Sequence, residues 1–203
     1  MTTAAEHWDR SYAKDDYKYG KLPNEFLRDH VGAIPPGGRL LSLGEGEGRN
    51  ATFLAARGFE VVAIDASAVG LAKAEKLAQE RGVRITTLVT DIAAFSFGRD
   101  AWDGIVSIWC HLPPALRARV HRELPLALRA RGVLLLEAYT PRQLDFNTGG
   151  PQSRELLPTL AELRGELAGL EFEVAEERER DVHEGQAHRG HSAVVQIVAR
   201  RTR

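Results

Sequence analysis

The sequence predicts an α/β fold: a mostly parallel sheet of seven strands, with helices on both faces and an antiparallel hairpin at the C-terminal end. Three observations support this fold class. Short apolar runs alternate with helix-length segments along most of the chain, as expected for strands that helices cover on both sides. Glycines on alternate positions follow the first run. No helix-length segment separates the last two runs, so they should pair as antiparallel neighbours.

The first strand is predicted at Arg39–Leu43 and leads into Gly-Glu-Gly-Glu-Gly at 44–48. A turn without Cβ atoms allows positive φ angles and lets a flat ligand lie against the backbone. The dinucleotide fingerprint would place its third glycine where the chain has Arg49, so that pattern fails by one residue. The spacing favours the G-x-G-x-G form of S-adenosylmethionine (SAM) sites over an ordinary strand–turn–helix corner.

Each of the next two strands is followed by an acidic residue. The run 60–64 precedes Asp65, and the run 84–89 precedes Asp91. A carboxylate after the second strand accepts hydrogen bonds from ribose hydroxyls, which suits NAD or SAM. An acid after the third strand would accept from an adenine amino group, with Ile92 beside the ring. The alternative for each acid is a helix N-cap or a solvated loop end. Both acids together favour SAM.

The remaining elements follow from caps, prolines and apolar runs. Ser67 suits the N-cap of one helix, and Gly58 and Gly82 suit the positions just after two helices. Proline suits the first turn of a helix, which places a helix start after residues 113–114. Helices are therefore predicted at 50–57, 68–81, from 114 towards 131–132, and around 155–167, and strands at 104–108, 133–137, 171–176 and 192–198.

The connection between the last two strands is polar and contains Glu184-Gly185 and Arg189-Gly190, which predicts a hairpin loop. The charge run at 176–181 is interpreted mainly as a solvated strand end.

Four segments, taken in order, carry a family resemblance: Leu-Ser-Leu-Gly-Glu-Gly-Glu-Gly-Arg-Asn at 41–50, Ala-Ile-Asp-Ala-Ser at 63–67, Thr-Asp-Ile at 90–92, and Trp-Asp-Gly-Ile-Val-Ser-Ile-Trp-Cys-His-Leu-Pro at 102–113. The chain resembles the class I SAM-dependent methyltransferases, which have a Rossmann-like fold. Within them it looks most like the small bacterial branch of tellurite-resistance and thiopurine methyltransferases. The resemblance covers nearly the whole chain, so residues 1–203 should form a single methyltransferase domain.

The resemblance implies SAM as the cofactor and residues 1–30 as a lid over it, although the tyrosines of this segment could instead only pack a surface helix. Ser42 stands where family members often carry an acid, and it cannot offer a charge to the methionine ammonium. The residues expected to line the cofactor site are Tyr17, Tyr19, Asn24, Gly44, Glu45, Gly46, Arg49, Asp65, Ala66, Asp91, Ile92, Ile108 and Trp109.

Three residues are candidates for contact with the methyl acceptor. His111 follows the fourth strand and could be a base, an oxyanion contact or a loop residue. The pair His188-Arg189 resembles one that faces the substrate pocket in tellurite-type relatives, where a guanidinium beside an imidazole would suit an oxyanion. The expected acceptor is a tellurite- or selenite-type oxyanion or a small thiol-like compound. A plain polar hairpin loop is the alternative for this pair, and a SAM-binding sensor or accessory protein is the alternative for the chain.

Composition excludes several other classes. With 203 residues the chain can bury one substantial core, and its net charge of −1 and pI near 6.7 give no footprint for nucleic acid. Its single cysteine, Cys110, cannot form an internal disulfide, and the histidines at 183, 188 and 191 lack metal-ligand spacing. Neither a signal peptide nor a membrane span is evident. We expect a cytoplasmic monomer or homodimer that binds no metal.

Overall fold

The computed structural model describes residues 3–202. Its centre is a seven-stranded sheet with the order β3-β2-β1-β4-β5-β7-β6. Strands β1 to β5 are parallel, and β7 pairs antiparallel with both β5 and β6. The predicted mostly parallel sheet with a C-terminal antiparallel hairpin is therefore confirmed. The strands are β1 (Arg39–Leu43), β2 (Glu60–Asp65), β3 (Thr86–Val89), β4 (Trp102–Ile108), β5 (Leu128–Tyr139), β6 (Glu171–Glu184) and β7 (His188–Arg200).

Helices cover both faces of the sheet, as predicted. The helices are α1 (Ala4–Tyr12), α2 (Glu25–His30), α3 (Arg49–Ala56), α4 (Ala68–Glu80), α5 (Pro114–Ala127) and α6 (Leu160–Glu166). Helices α5 and α6 pack on one face, where Leu124 and Leu163 join strand residues in one apolar cluster. Helices α2, α3 and α4 pack on the other, where Leu27, Leu54 and Leu71 join a second cluster. Within residues 3–202 no helix is both long and apolar enough to cross a membrane.

The cap chemistry read from the sequence is confirmed at α3 and α4. The Ser67 side chain accepts a hydrogen bond from the backbone of Gly70, which makes it the N-cap of α4. Gly58 and Gly82 follow α3 and α4 with φ angles of 87° and 66°. A residue with a side chain would be strained there, so both glycines end their helices.

Several elements differ from their predicted bounds, most clearly α5, the helix predicted at 155–167 and β3. Helix α5 ends at Ala127, and residues 128–131 belong to β5, where a register shift between Trp102 and Gly104 accommodates them. Pro125 lies within this last turn and cannot donate to the helix ladder. The predicted helix at 155–167 is split, because Pro158 separates a short 3₁₀ turn from α6. Strand β3 begins at Thr86 rather than at residue 84.

The hairpin is longer than predicted, and its loop contains only residues 185–187. His183 pairs with Arg189, and Glu184 pairs with His188, so the expected polar loop is mostly strand. The charge run at 176–181 also lies inside β6, and its side chains are mostly exposed as predicted. Arg180 is the exception, because its side chain is only 12% exposed and pairs with a buried acid of β5.

Candidate active site

The glycine turn after β1 lies at the middle of the edge that the C-terminal ends of the parallel strands form. Gly44, Gly46 and Gly48 have φ angles of 57°, 61° and 88°, a region that side chains rarely tolerate. A Cβ atom at Gly48 would lie 2.5 Å from the Cα atom of Ala74. The last glycine therefore lets α3 start directly against α4.

The Glu45 side chain connects the glycine turn to the start of α3. One of its carboxylate oxygens accepts a hydrogen bond from the Ser42 hydroxyl, and the other accepts from the backbone amides of Asn50 and Ala51 at 3.1 and 2.9 Å. An acid at the start of a helix satisfies amides that have no partner within the helix. Burial raises the pKa of Glu45. Glu45, predicted to line the cofactor, thus has both oxygens engaged within the protein.

Asp65 joins the glycine turn to the end of β2. Its Oδ2 atom accepts from the Gly46 amide and its Oδ1 atom accepts from the Ser67 amide, both at 2.8 Å. Burial raises its pKa, although these amides favour the charged form. Each carboxylate oxygen has two lone pairs, so Asp65 retains acceptor capacity for a ligand hydroxyl.

The edge beside Asp65 is open to solvent. Gly44 and Asp91 are exposed, and Ala66 and Ile92 are half-buried. Asp91 accepts a hydrogen bond from the Ala93 amide at 2.8 Å, as in the cap alternative, yet its side chain stays accessible. Because β2 and β3 are neighbours, the glycines and both predicted acids share one edge. Ile108, predicted to line the site, is buried in the core cluster on one face of the sheet.

The N-terminal segment lies across the glycine turn. In α1, Asp9 accepts hydrogen bonds from the Ser67 hydroxyl at 2.6 Å and from the Val69 amide at 3.2 Å. The hydroxyl of Tyr12 lies 2.6 Å from the position that a Cβ atom of Gly46 would occupy. The described part of the predicted lid is therefore placed where it covers the turn, and its action as a lid stays a prediction.

Lysine 73 of α4 holds the rest of this segment in place. Its ammonium group donates to the carbonyl oxygens of Lys14 and Asp16 at 2.8 and 2.7 Å, and it pairs with Glu47 of the glycine turn. Tyr17 donates its hydroxyl hydrogen to the Lys73 carbonyl at 3.1 Å. Tyr17, predicted to touch the cofactor, thus packs the segment onto α4 as the alternative interpretation expected.

A buried ionic network joins the N-terminal segment, β5 and the hairpin. Glu137 accepts from both ends of the Arg180 guanidinium at 3.0 Å. Glu184 pairs with Arg49 at 2.5 Å and with Arg180 at 3.4 Å. Two buried acids are thus balanced by two buried guanidinium groups. Paired guanidinium groups lower the pKa of Glu184, although its burial, the largest single effect, acts in the opposite direction.

Asn24 belongs to this network and corrects a prediction. Its side-chain amide donates to Glu137 at 2.5 Å and to Glu184 at 2.8 Å, and its side-chain oxygen accepts from the Leu27 amide. Asn24 is completely buried. Its polar atoms are used inside the protein, so it does not present a group to a ligand. Arg49 was likewise predicted to line the cofactor, and its guanidinium is committed to Glu184.

Trp109 marks the end of β4 and has an unusual backbone. Its φ angle is 56°, which is uncommon for a residue with a side chain. The indole ring stacks on Tyr139 with centroids 4.3 Å apart, and His188 meets it edge-on at 5.0 Å. Strained backbone of this kind is often found at ligand sites. The structure thus brings Trp109, predicted to line the cofactor site, into contact with His188, predicted to contact the acceptor.

His111 has both ring nitrogens engaged. Its Nε2 atom accepts from the Tyr139 amide at 3.0 Å, and its Nδ1 atom lies 3.1 Å from the Trp109 carbonyl oxygen. Because Nε2 accepts, the neutral ring must carry its hydrogen on Nδ1. Burial lowers the pKa of His111 to about 4. The predicted catalytic role is therefore not supported, and His111 instead ties the ends of β4 and β5 together.

His188 and Arg189 lie on opposite faces of β7. His188 is buried, whereas Arg189 is exposed, because consecutive residues of a strand alternate between faces. His188 contacts the Tyr19 ring at a centroid distance of 4.6 Å and lies near His111. Burial lowers the pKa of His188 to about 3 and raises that of Tyr19 to about 12. Arg189 therefore lies apart from His111 and His188, with which it was expected to form a cluster.

The sequence interpretation missed several residues of this region. Glu137 and Glu184 were not singled out, although an acid at the end of the apolar run Val133-Leu-Leu-Leu required a buried cation as partner. Tyr12 and Lys73 gave no comparable signal, since their contacts depend on how α1 docks. Among residues 3–202 no group of three His, Cys, Asp or Glu side chains is placed to hold a metal ion.

Comparison with known proteins agrees with this geometry. Residues 40–132 match the family model described as a methyltransferase domain. The matched residues run from β1 into β5 and include the glycine turn and both predicted acids. No curated protein matches the sequence.

Solved structures resemble this chain over nearly its whole length. TehB from Haemophilus influenzae is 20% identical with a TM-score of 0.71, and the alignment covers 98% of this chain and 67% of that one. A structure reported as "Conversion of a Disulfide Bond into a Thioacetal Group during Echinomycin Biosynthesis" is 20% identical, with a TM-score of 0.77 and coverage of 98% and 92%. A SAM-dependent methyltransferase from Aquifex aeolicus is 16% identical, with a TM-score of 0.67 and coverage of 95% and 97%. These similarities confirm the class I methyltransferase fold.

Proposed function

We propose that the chain transfers a methyl group from SAM to a small acceptor. The observation that carries this proposal is the arrangement of Asp65 and the glycine turn. Asp65 fixes the turn through the Gly46 amide and keeps acceptor capacity at the open edge, while Asp91 is exposed just after the neighbouring strand β3. When bound, SAM supplies an electrophilic methyl group on a positively charged sulfur.

The residues at this edge fit the adenosyl part of SAM. Asp65 would accept hydrogen bonds from the ribose hydroxyls, and Asp91 would accept from the adenine amino group. Ile92 and Ala66 are half-buried and would flank the ring system. The exposed backbone of Gly44, with no side chain, lets a ligand approach the turn closely.

The acceptor is proposed to react through a soft chalcogen atom, in an oxyanion such as tellurite or selenite or in a small thiol-like compound. Direct displacement at the SAM methyl group needs no nucleophile from the enzyme, so the protein supplies position and exclusion of water. This agrees with a site edge that is aromatic and that contains Trp109, Tyr139 and His188. One of the similar structures also concerns chemistry at sulfur, the conversion of a disulfide bond into a thioacetal group.

The proposal is tested by titrating the protein with SAM and with NAD in a calorimeter, and by measuring release of S-adenosylhomocysteine with tellurite, selenite and small thiols. We expect SAM to bind and at least one acceptor to be methylated. SAM binding without turnover of any acceptor would favour the sensor or accessory role. Binding of NAD without binding of SAM would overturn the proposal.

A further inference from the structure

Tyr139 and His188 each bury a polar atom that makes no hydrogen bond within residues 3–202. These atoms are the hydroxyl oxygen of Tyr139, which lies near the Ser192 hydroxyl without forming a hydrogen bond to it, and Nδ1 of His188. A buried polar group without a partner costs about 1–3 kcal/mol, so native proteins leave few of them. The two rings meet edge-on, with centroids 5.3 Å apart. Two unused polar atoms on adjacent rings indicate a place where a ligand completes the hydrogen bonding.

A glycine turn after β5 lies directly on these rings. A Cβ atom at Gly149 would lie 3.3 Å from both the Tyr139 hydroxyl oxygen and Cδ2 of His188, so both rings lie against the turn at the same point. A Cβ atom at Gly150 would lie 2.5 Å from the Tyr139 ring. Gln143 anchors the turn by donating to the Thr148 hydroxyl and to the Gly149 carbonyl at 2.9 and 3.1 Å. The turn thus covers the two rings with backbone alone.

The cations near the space between these rings are held by other groups or point away from it. Arg49 is bound to Glu184, and Arg189 points to the opposite face of β7. Lys18, which lies near the rings of Trp8 and Tyr19, donates to the Ser11 hydroxyl. Burial raises the pKa of Tyr139 and lowers that of His188, so both walls are uncharged near neutral pH. Glu184 is the charged group that acts on both rings, and its carboxylate disfavours an anion.

We propose that the space between the Tyr139 hydroxyl and His188 Nδ1, beneath the Gly149–Gly150 turn, is the acceptor site and that it takes a small uncharged thiol. This inference rests on the proposed function and selects between its two acceptor classes. The Tyr139 hydroxyl donates to the thiol sulfur, and the thiol hydrogen is donated to His188 Nδ1. In the tautomer that carries its hydrogen on Nε2, His188 is the acceptor that this arrangement needs.

The transfer step requires no oxidant, reductant or further reactant. The thiol sulfur forms a bond to the methyl carbon as the bond from that carbon to the sulfonium breaks, and the sulfonium sulfur keeps the electron pair. The products are S-adenosylhomocysteine and a methyl thioether. The thiol proton passes to His188 Nδ1 and then to water. A sulfur that is gaining a third bond makes its proton strongly acidic, so an imidazole of low basicity is sufficient.

Matched acceptors and variants test this assignment. 2-Mercaptoethanol and thioglycolate are thiols of similar size, of which only the second carries a carboxylate. We expect kcat/KM to be about tenfold or more higher for 2-mercaptoethanol, and selenite to remain at background. Tyr139→Phe and His188→Gln should each lower kcat/KM for 2-mercaptoethanol about tenfold, the effect of one lost hydrogen bond, while SAM affinity is retained. His191→Gln, an exposed histidine of the same strand, should match the wild type.

A binding measurement supplies a readout besides turnover. Calorimetry of 2-mercaptoethanol with protein saturated in S-adenosylhomocysteine should show weaker binding in Tyr139→Phe than in the wild type. Equal use of thioglycolate or selenite, wild-type turnover in both variants, or no methylation of 2-mercaptoethanol by protein that binds SAM would each overturn the assignment. Failure to bind SAM at all would instead remove the proposed function itself.

Discussion

The indole nitrogen of Trp109 donates a hydrogen bond to Glu184 over 2.7 Å, which joins the end of β4 to the tip of the C-terminal hairpin. Trp109 has a strained backbone and stacks on Tyr139, so its ring orientation helps to shape the aromatic edge. The same carboxylate oxygen binds Arg49, which follows the glycine turn. One buried acid therefore connects the proposed cofactor edge, the proposed acceptor site and the hairpin.

Replacing this acid should destabilise the whole domain. Glu184→Gln keeps the size of the side chain and removes the charge that balances Arg49 and Arg180. Breaking a buried ion pair by neutralising one partner typically costs about 3–5 kcal/mol, because the remaining charge stays buried. We expect a loss of about 3 kcal/mol in the free energy of unfolding, measured by urea denaturation.

Glu176→Gln is the matched control for this variant. Glu176 lies on the same strand and pairs with Arg178, but both side chains are about half exposed. Exposed ion pairs contribute about 0–1 kcal/mol, so this substitution should shift the urea midpoint little. Equal losses in the two variants would contradict the view that the buried network, rather than strand charge in general, stabilises the hairpin.

Lys73 should control how firmly the N-terminal segment is held. Lys73→Met removes the ammonium group that binds the Lys14 and Asp16 carbonyls, so limited proteolysis before residue 24 should become faster. If the segment closes over the cofactor, SAM should slow this cleavage in the wild type and have less effect in the variant.

Two further variants separate the segment from the charge of Glu47. Lys73→Met leaves this buried carboxylate without its ion pair, and Lys73→Met combined with Glu47→Gln removes that cost. The double variant should regain stability yet stay sensitive to protease. Lys76→Met, exposed on the same helix, should be cleaved like the wild type. Unchanged cleavage in Lys73→Met would show that other contacts hold the segment.

The sequence predicted those parts of the fold that local chemistry determines. Ser67, Gly58 and Gly82 mark helix ends because a cap residue or a positive φ angle is required at one position, whatever the rest of the chain does. The glycine turn and the two acids after β2 and β3 were readable for the same reason. Parallel strands bring their carboxyl ends to one edge, so positions in the sequence indicate proximity in space.

The sequence could not predict contacts that depend on distant pairing. Asn24 reaches Glu137 and Glu184, which lie 113 and 160 positions away, so its role was invisible locally. His188 and Arg189 were expected to act together because the pair resembles one that faces the substrate pocket in tellurite-type relatives. The hairpin extends through them, and its pleat sends the two side chains to opposite faces. Strand length, rather than residue type, decided which of the two side chains is buried.

Asp65 should govern the affinity for SAM more than for any acceptor. Asp65→Ala removes the proposed ribose acceptors and also releases the Gly46 and Ser67 amides. Hydrogen bonds to a charged group contribute about 1.5–3 kcal/mol, which corresponds to roughly a tenfold to hundredfold weaker Kd. Calorimetry with SAM measures the change. Asp29→Ala, in an exposed pair with Arg28, is the control and should bind as the wild type does. Unchanged affinity in Asp65→Ala would place the ribose elsewhere.

The buried histidines should make the fold sensitive to mild acid. His111 and His188 have ordinary pKa values near 6.5 in the unfolded chain, and burial lowers them to about 4 and about 3 in the folded state. Between these values the unfolded chain binds protons that the folded chain cannot, so the free energy of unfolding falls as the pH falls. The stabilisation is complete above pH about 6.5, and its loss for His111 alone amounts to about 3 kcal/mol by pH about 4.

Urea denaturation of the wild type and of His188→Gln between pH 8 and pH about 4 tests this dependence. Carboxylates titrate in the same acidic range in both proteins, so the difference between the two curves isolates His188. We expect the variant to lose less stability than the wild type as the pH falls below about 6.5. His191→Gln supplies the opposite sign, because Glu179 raises the pKa of this exposed histidine and its protonated form is favoured by folding. Parallel curves for wild type and His188→Gln would mean that His188 titrates normally. His188 would then not be the uncharged group that the proposed acceptor site requires.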